Sequence, residues 1–331
     1  MPVCRIYFFT YKRHYLIPRS IESLLNQTFQ DWVCEVHNDC PDDKFPEKYI
    51  NTLNDSRFII KNHSINLGGT RSFNLAFSGC KETYASILED DNWWEPTFLE
   101  EMVSLMYQNL SLDIAWSNMR IWKESNGNKW TETGNTTWPL NNNQLFEWPN
   151  KRQALGALHS IGAMIYRGIK AKNYLIPESS LLDAVELIRE RTFPHPIYLH
   201  SKVLANFAIT LNTNRSKDSW RWTACQLMVM SSMITTSDDP QKIFASSLEY
   251  YRRQEPPPVI VFFLLILFYL KDLKLLNKFK SGDWFMLSKW LLKNIFIFPK
   301  MINYLQSQKE VYHFLIHNTQ DRYNEQKNYK F

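Results

Sequence analysis

The chain has 331 residues, of which 44% are hydrophobic, enough to bury a full core in one large domain with an appendage. Its formal net charge of +5 is too mild to point to nucleic acid as a partner. Five cysteines (Cys4, Cys34, Cys40, Cys80, Cys225) form no CxxC pair and are odd in number, which argues against a disulfide framework; with an N-terminus that lacks a secretory pattern, they favour a reducing, cytoplasmic address.

Residues 3–9 form an apolar run broken only by Arg5, the pattern of a strand buried on both faces. It ends in Thr10-Tyr11-Lys12-Arg13. Ile17, Ile21, Leu24 and Leu25 then recur at helical spacing, and Asn26-Gln27-Thr28 closes that helix. Residues 32–37 read as a second strand, ending in the turn-forming Asn38-Asp39-Cys40-Pro41-Asp42-Asp43. A short helix over 46–53 and a third strand over 57–61 follow. Asn66-Leu67-Gly68-Gly69-Thr70 opens a helix over 71–78. Residues 84–88 are β-favouring and stop abruptly at Glu89-Asp90-Asp91, followed by Trp93, Trp94 and Pro96.

Strands alternating with helices at this spacing predict an α/β fold with a doubly wound, largely parallel sheet. Ligands of such sheets bind beyond the carboxyl ends of the strands. The polar clusters at 10–13, 39–43, 66–71 and 89–91 all fall at such ends. Three adjacent carboxylates suit a hard divalent cation, which takes one or two protein oxygens and substrate phosphate oxygens besides. If the strand alternation continues through them, Glu89 and Asp91 point one way and Asp90 the other.

Further along, residues 113–122 alternate as a strand. The segment 123–149 has no clear period and reads as a functional loop or a hairpin excursion. Residues 158–166 are apolar with small side chains and include His159, a structural residue or a substrate contact. Asp183-Ala184-Val185-Glu186-Leu187-Ile188-Arg189 places an acid at the opening of a helix, where the helix dipole keeps it ionised and fit to act as a base. Glu186 competes for that role one turn on. Residues 197–208 read as another strand.

The ordered set Thr10-Tyr11-Lys12-Arg13, Ser23-Leu24-Leu25-Asn26-Gln27-Thr28-Phe29, Asn38-Asp39, Asn66-Leu67-Gly68, Arg71-Ser72-Phe73-Asn74 and Leu88-Glu89-Asp90-Asp91 resembles the family 2 glycosyltransferases of GT-A fold. The resemblance is close over roughly the first hundred residues and weaker to about residue 215. It implies an inverting transfer from a nucleotide-sugar donor, UDP-linked by preference, to a glycan or lipid-linked acceptor, assisted by Mn²⁺ or Mg²⁺. Thr10, Tyr11 and Arg13 match the loop lining the nucleotide pocket, and Asp39 the acid that bonds the base. Gly68, Arg71 and Asn74 match the loop and helix beside the nucleotide. Glu89, Asp90 and Asp91 fall on the family's Asp-any-Asp motif, whose last acid binds metal and whose first reaches the ribose; here Glu89 replaces the first Asp. Asp183 falls on the catalytic acid, with Leu182 in place of the preceding Glu. The family's His or Arg after the last strand is replaced by a stretch in which Arg215 stands as the charge neutraliser. A non-catalytic nucleotide-sugar or glycan-binding scaffold is the rival reading.

From residue 217 the composition turns helical, which divides the chain into a catalytic domain over 1–216 and a helical region over 217–331. Helices are expected over 220–234, 241–253 and 284–298, with a hinge at Pro256-Pro257-Pro258. The apolar run 259–270 is too short for a comfortable membrane span, which needs about 20 apolar residues. Lysines at 271, 274, 278, 280, 289 and 293 edge apolar residues. Such a pattern suits either the surface of an anionic membrane, or a buried helical subdomain or homo-oligomer interface in which it serves as core.

Overall fold

The computed structural model describes residues 2–126, 129–139, 141–158, 160–211, 219–254, 259–270 and 274–328. The expectations for His159, Arg215, Lys271 and the Pro256-Pro257-Pro258 hinge lie outside the described residues. The chain divides into two compact units. The first comprises Met1–Phe146, His159–Leu175 and Pro196–Asn214; the second comprises Glu147–Leu158, Ile176–His195 and Arg215–Phe331. Two insertions, 147–158 and 176–195, thus join the helical C-terminal residues, which a single boundary at 216 does not anticipate.

The first unit is built on one mixed sheet. Its strands are β1 (Cys4–Thr10), β2 (Trp32–Asn38), β3 (Phe58–Asn62), β4 (Tyr84–Glu89), β5 (Trp93–Trp94), β6 (Ile114–Ser125), β7 (Lys129–Thr136), β8 (Gln144–Phe146), β9 (Met164–Arg167) and β10 (Ile197–Ile209). The order is β3-β2-β1-β4-β9-β6-β10-β5, with β7 on β6 and β8 on β10. Strands β3, β2, β1 and β4 are parallel, β9 runs against both β4 and β6, and β10 is parallel to β6. Helices α1 (Ile17–Leu25), α2 (Phe45–Leu53), α3 (Gly69–Leu75) and α4 (Phe98–Gln108) connect them. The sequence reading gave α1, α2 and, two residues late, α3; it did not identify α4.

The core of this unit gathers Ile6, Phe8, Cys34, Val36, Leu88 and Ile165 from the sheet with Ile21 and Leu24 of α1 and Phe98, Met102 and Met106 of α4. The segment after residue 122 is the hairpin alternative: β6 runs on to Ser125 and turns back as β7. Arg5 breaks the apolar run because it serves a clamp. It pairs bidentately with buried Glu82 (2.8 and 2.9 Å) and reaches Glu35 on β2 at 2.5 Å.

The second unit is helical: α5 (Val185–Arg189), α6 (Ser219–Thr235), α7 (Pro240–Gln254), α8 (Val259–Leu270), α9 (Ser281–Lys293), α10 (Ile297–Ser307) and α11 (Lys309–Asn328). Helix α6 packs against α7, α8, α10 and α11. Helix α8 is core, with Ile260, Val261, Phe263, Leu264, Ile266 and Leu267 all buried. The single helix expected over 284–298 is two helices. The Asn294 side-chain amide donates to the Trp290 carbonyl (2.8 Å), and Pro299 belongs in a first helical turn, so the chain stops and restarts between them. Among the described residues no helix is long and apolar enough to cross a membrane.

Candidate functional site

The carboxyl ends of β1 and β4 lie side by side, because these strands pair in parallel with Phe9 opposite Glu89. Thr10 closes β1 and is buried; its Oγ1 donates to Asp90 Oδ2 at 2.8 Å. Lys12 takes a left-handed backbone (φ +57°) in the loop that follows. Arg13 then comes back over the acidic turn, pairing with Asp91 Oδ2 at 2.6 Å through Nη1 and with Asp90 through Nη2.

This arrangement corrects the expected alternation of the three acids. The strand ends at Glu89 and residues 90–91 form a turn, so Asp90 and Asp91 share one guanidinium instead of pointing apart. Asp90 is fully buried. Burial pushes its carboxyl up to about 7, against the pull of Arg13, with Asp91 adding to the rise. Burial also disfavours the charge on Arg13, yet Asp90 and Asp91 outweigh it and hold that guanidinium above its usual range. Glu89 turns elsewhere and accepts from Asn92 Nδ2 at 2.6 Å. A Cβ on Gly162 would sit 2.9 Å from Asn92 Nδ2 and 3.1 Å from Glu89 Oε2, so a side chain in this floor would displace the Glu89–Asn92 pair.

Asp39 follows β2 and is buried. Its Oδ1 accepts from Leu67 N (2.8 Å) and its Oδ2 from Gly68 N (3.2 Å), pinning the loop that enters α3. Gly68 makes that entry at φ +79°, a conformation that costs a residue with a side chain. Arg71 is exposed and Asn74 half-buried on α3, and Tyr11 is half-buried with the Lys12 ammonium 5.0 Å from its ring centre. Asp183 belongs to the second unit, half-buried in the 3-10 turn Leu182–Ala184 that runs into α5.

Several residues of this site escaped the sequence reading. Arg19 donates to the Asp91 carbonyl at 2.8 Å while its guanidinium lies 3.8 Å from the Trp93 ring centre and 3.9 Å from that of Trp130. Burial pulls its pKa down to about 10. Ser20 Oγ is 2.6 Å from the carbonyl oxygens of both Asp90 and Asn92. The signal available for Ser20 was its place, with Ser23, among the apolar positions of α1, with Gln27 just past the helix end. Trp94 is core, stacked on Phe98 with its indole N–H on the Gly162 carbonyl, whereas Trp93 faces Arg19.

Among the described residues no three His, Cys, Asp or Glu side chains group as a metal cage. The Asp91 carboxylate is nevertheless a hard oxygen donor, half-buried at a strand end, and its chemistry fits Mn²⁺ or Mg²⁺ held with substrate oxygens.

The pattern of the family described as "Glycosyl transferase family 2" matches residues 6–171, half of the chain. WcaA of Escherichia coli (strain K12), named for a colanic acid biosynthesis glycosyl transferase, is 27% identical over 118 residues, 35% of this chain and 42% of that protein. The uncharacterized glycosyltransferase MJ1057 of Methanocaldococcus jannaschii is 32% identical over 103 residues, 30% of this chain and 36% of that protein. The matched stretch therefore spans less than half the length of either relative. In fold, the chain is similar to S. aureus TarS 1-349 in complex with UDP-GlcNAc (TM-score 0.57, 14% identity, 98% of this chain and 89% of that one). It is also similar to the mannosyltransferase PcManGT from Pyrobaculum calidifontis in complex with GDP-Man and Mn²⁺ (TM-score 0.50, 10% identity, 97% and 88%). With a family match across half its length and a mixed, mostly parallel sheet carrying the acidic turn at its strand ends, the chain belongs to glycosyl transferase family 2.

Proposed function

We propose that the chain is an inverting glycosyltransferase that moves a sugar from a nucleotide-diphosphate donor, a UDP-sugar by preference, to a hydroxyl of a glycan or lipid-linked acceptor. The observation that carries this reading is the gathering of Thr10, Arg13, Asp90 and Asp91 where β1 and β4 end, with the Asp39-pinned loop following the neighbouring β2. TarS bound to UDP-GlcNAc and PcManGT bound to GDP-Man support a nucleotide-sugar donor, and the Mn²⁺ of PcManGT supports a divalent metal.

Asp91 would hold the cation, which when bound neutralises charge on the leaving diphosphate. Asp90 and Thr10 position Arg13, whose remaining N–H groups suit phosphate oxygens. Asp39 fixes the Leu67–Gly68 backbone and offers its spare lone pairs to the base. Tyr11, Arg71 and Asn74 line the nucleotide side, and Glu89 the ribose. Asp183 takes the proton of the acceptor hydroxyl as that oxygen attacks the anomeric carbon. The bond from that carbon to the diphosphate breaks with its electron pair on the leaving group, and the configuration inverts. A cytoplasmic protein lying against the inner membrane face would meet a lipid-linked acceptor there.

A panel of nucleotide sugars with Mn²⁺ or Mg²⁺ tests this reading. Wild type should release nucleotide from one donor, and Asp91→Asn should lower that release by roughly a hundredfold or more. Asp183→Asn should retain donor binding while losing transfer by about 10²–10⁴-fold. Equal background release from wild type and Asp91→Asn across the panel would favour the scaffold, and retained turnover in Asp183→Asn would remove it as the base.

A further inference from the structure

The second unit carries an apolar surface that its own core does not use. In α9, Leu287 faces inward, and Asp283 is buried and paired with Arg252 at 2.5 Å. The opposite face presents Phe285 and Leu292, seven residues apart and therefore on one side of the helix, at 72% and 75% exposure. The turn into α10 continues it with Ile295 at 58% and Phe296 at 84%. Four large apolar side chains this exposed within twelve residues exceed the scattered singles of an ordinary surface.

The charge around them says what covers them. Residues 276–308 contain five lysines (Lys278, Lys280, Lys289, Lys293, Lys300), all exposed, and one acid, Asp283, which Arg252 already neutralises. A second copy of the chain meeting this face about a two-fold axis would set the lysines of one copy against those of the other, which like-charge repulsion disfavours. A nucleic-acid backbone would satisfy the lysines and leave the apolar side chains wet. An anionic phospholipid surface serves both, taking the apolar groups among acyl chains and the ammonium groups among headgroup phosphates.

We infer that the α9–α10 elbow, with Phe285, Leu292, Ile295 and Phe296 inserted and the lysines at the headgroup level, is the surface by which this protein sits on an anionic phospholipid bilayer. This rests on the membrane-face reading above and deepens it by naming the face and the lipid chemistry.

The test is vesicle co-sedimentation of the full chain, with phosphatidylglycerol-containing vesicles compared with pure phosphatidylcholine. Wild type should bind the anionic vesicles, less at high salt, and leave the neutral ones. The variant Phe285→Ser, Leu292→Ser, Phe296→Ser and, separately, Lys289→Glu, Lys293→Glu should each bind about tenfold or more weakly, with circular dichroism and nucleotide release unchanged. Wild-type-like binding by the serine variant overturns the assignment of this face while leaving a membrane role intact. No binding of wild type to the anionic vesicles overturns both. A dimer by light scattering that the serine variant converts to monomer would give the surface to a second copy instead.

Discussion

At the scale of single residues, the floor of the site can be tested with one methyl group. Gly162→Ala would push its Cβ against Asn92 Nδ2 and Glu89 Oε2, atoms at the ends of side chains that can yield. We expect little loss of stability, within about 1 kcal/mol, together with a roughly ten- to hundredfold fall in donor turnover as the Glu89–Asn92 pair is displaced. Parallel melting curves and kinetics separate the two effects. Arg5 gives the opposite signature. Removing it by Arg5→Ala leaves Glu82 buried without its cation, and denaturant unfolding should show a loss of about 3–5 kcal/mol. The lysine variant should recover only part, since it cannot make the bidentate pair. In the sequence Arg5 was visible only as an interruption of an apolar run; its partner Glu82, 77 residues away, was not. The directions of Asp90 and Asp91 were equally hidden, because strand alternation says nothing once the chain has turned.

At the scale of elements, α1 does more than cover the sheet. Ser20 and Ser23 of the helix, with Gln27 just past its end, form a buried polar stripe that fastens the segment from Asp90 to Leu99. Ser20 meets the carbonyls of Asp90 and Asn92, and Ser23 Oγ accepts from Trp94 N. The Gln27 side chain donates to the Ser23 and Glu95 carbonyls and accepts from Leu99 N. Gln27→Leu strands those buried groups and should cost about 2–4 kcal/mol by denaturant unfolding, whereas Glu22→Gln on the exposed side of α1 should change stability by no more than about 0.5 kcal/mol. Helical spacing of Ile17, Ile21 and Leu24 located this helix, and the polar residues beside them carried the unread part of the message. Helix α8 teaches the reverse lesson. Its unbroken apolar run is core, as the buried-subdomain alternative expects, and the exposed apolar side chains belong to the more mixed α9 and the turn after it.

At the scale of the whole chain, the helical unit holds a pH-sensitive group. His195 donates from Nδ1 to the Phe193 carbonyl (3.1 Å), lies 3.5 Å from the Gln153 amide and packs edge-on to Trp148. Desolvation first, then the charges of Arg322 and Arg191, push its pKa down to about 3. The unfolded chain, with an ordinary histidine near 6.5, binds the proton more readily, so stability is full above that value and falls as pH drops towards the folded one. Wild type should lose about 1–2 kcal/mol between pH 8 and pH 5 that His195→Gln does not, read as the difference between their unfolding curves.

The parallel half of the sheet and the placing of polar clusters at its strand ends followed from the sequence alone, because a doubly buried strand must be an apolar run and a loop must be polar. The same physics located Thr10, Asp39, Gly68 and the acidic turn. Tertiary structure decided what depends on partners distant along the chain. It made Arg13 the shared counter-charge of Asp90 and Asp91, set Trp93 against Arg19 and Trp94 in the core, and gave 147–158 and 176–195 to the helical unit. Periodicity reports which side of an element is buried; it does not report what lies on the other side of the contact.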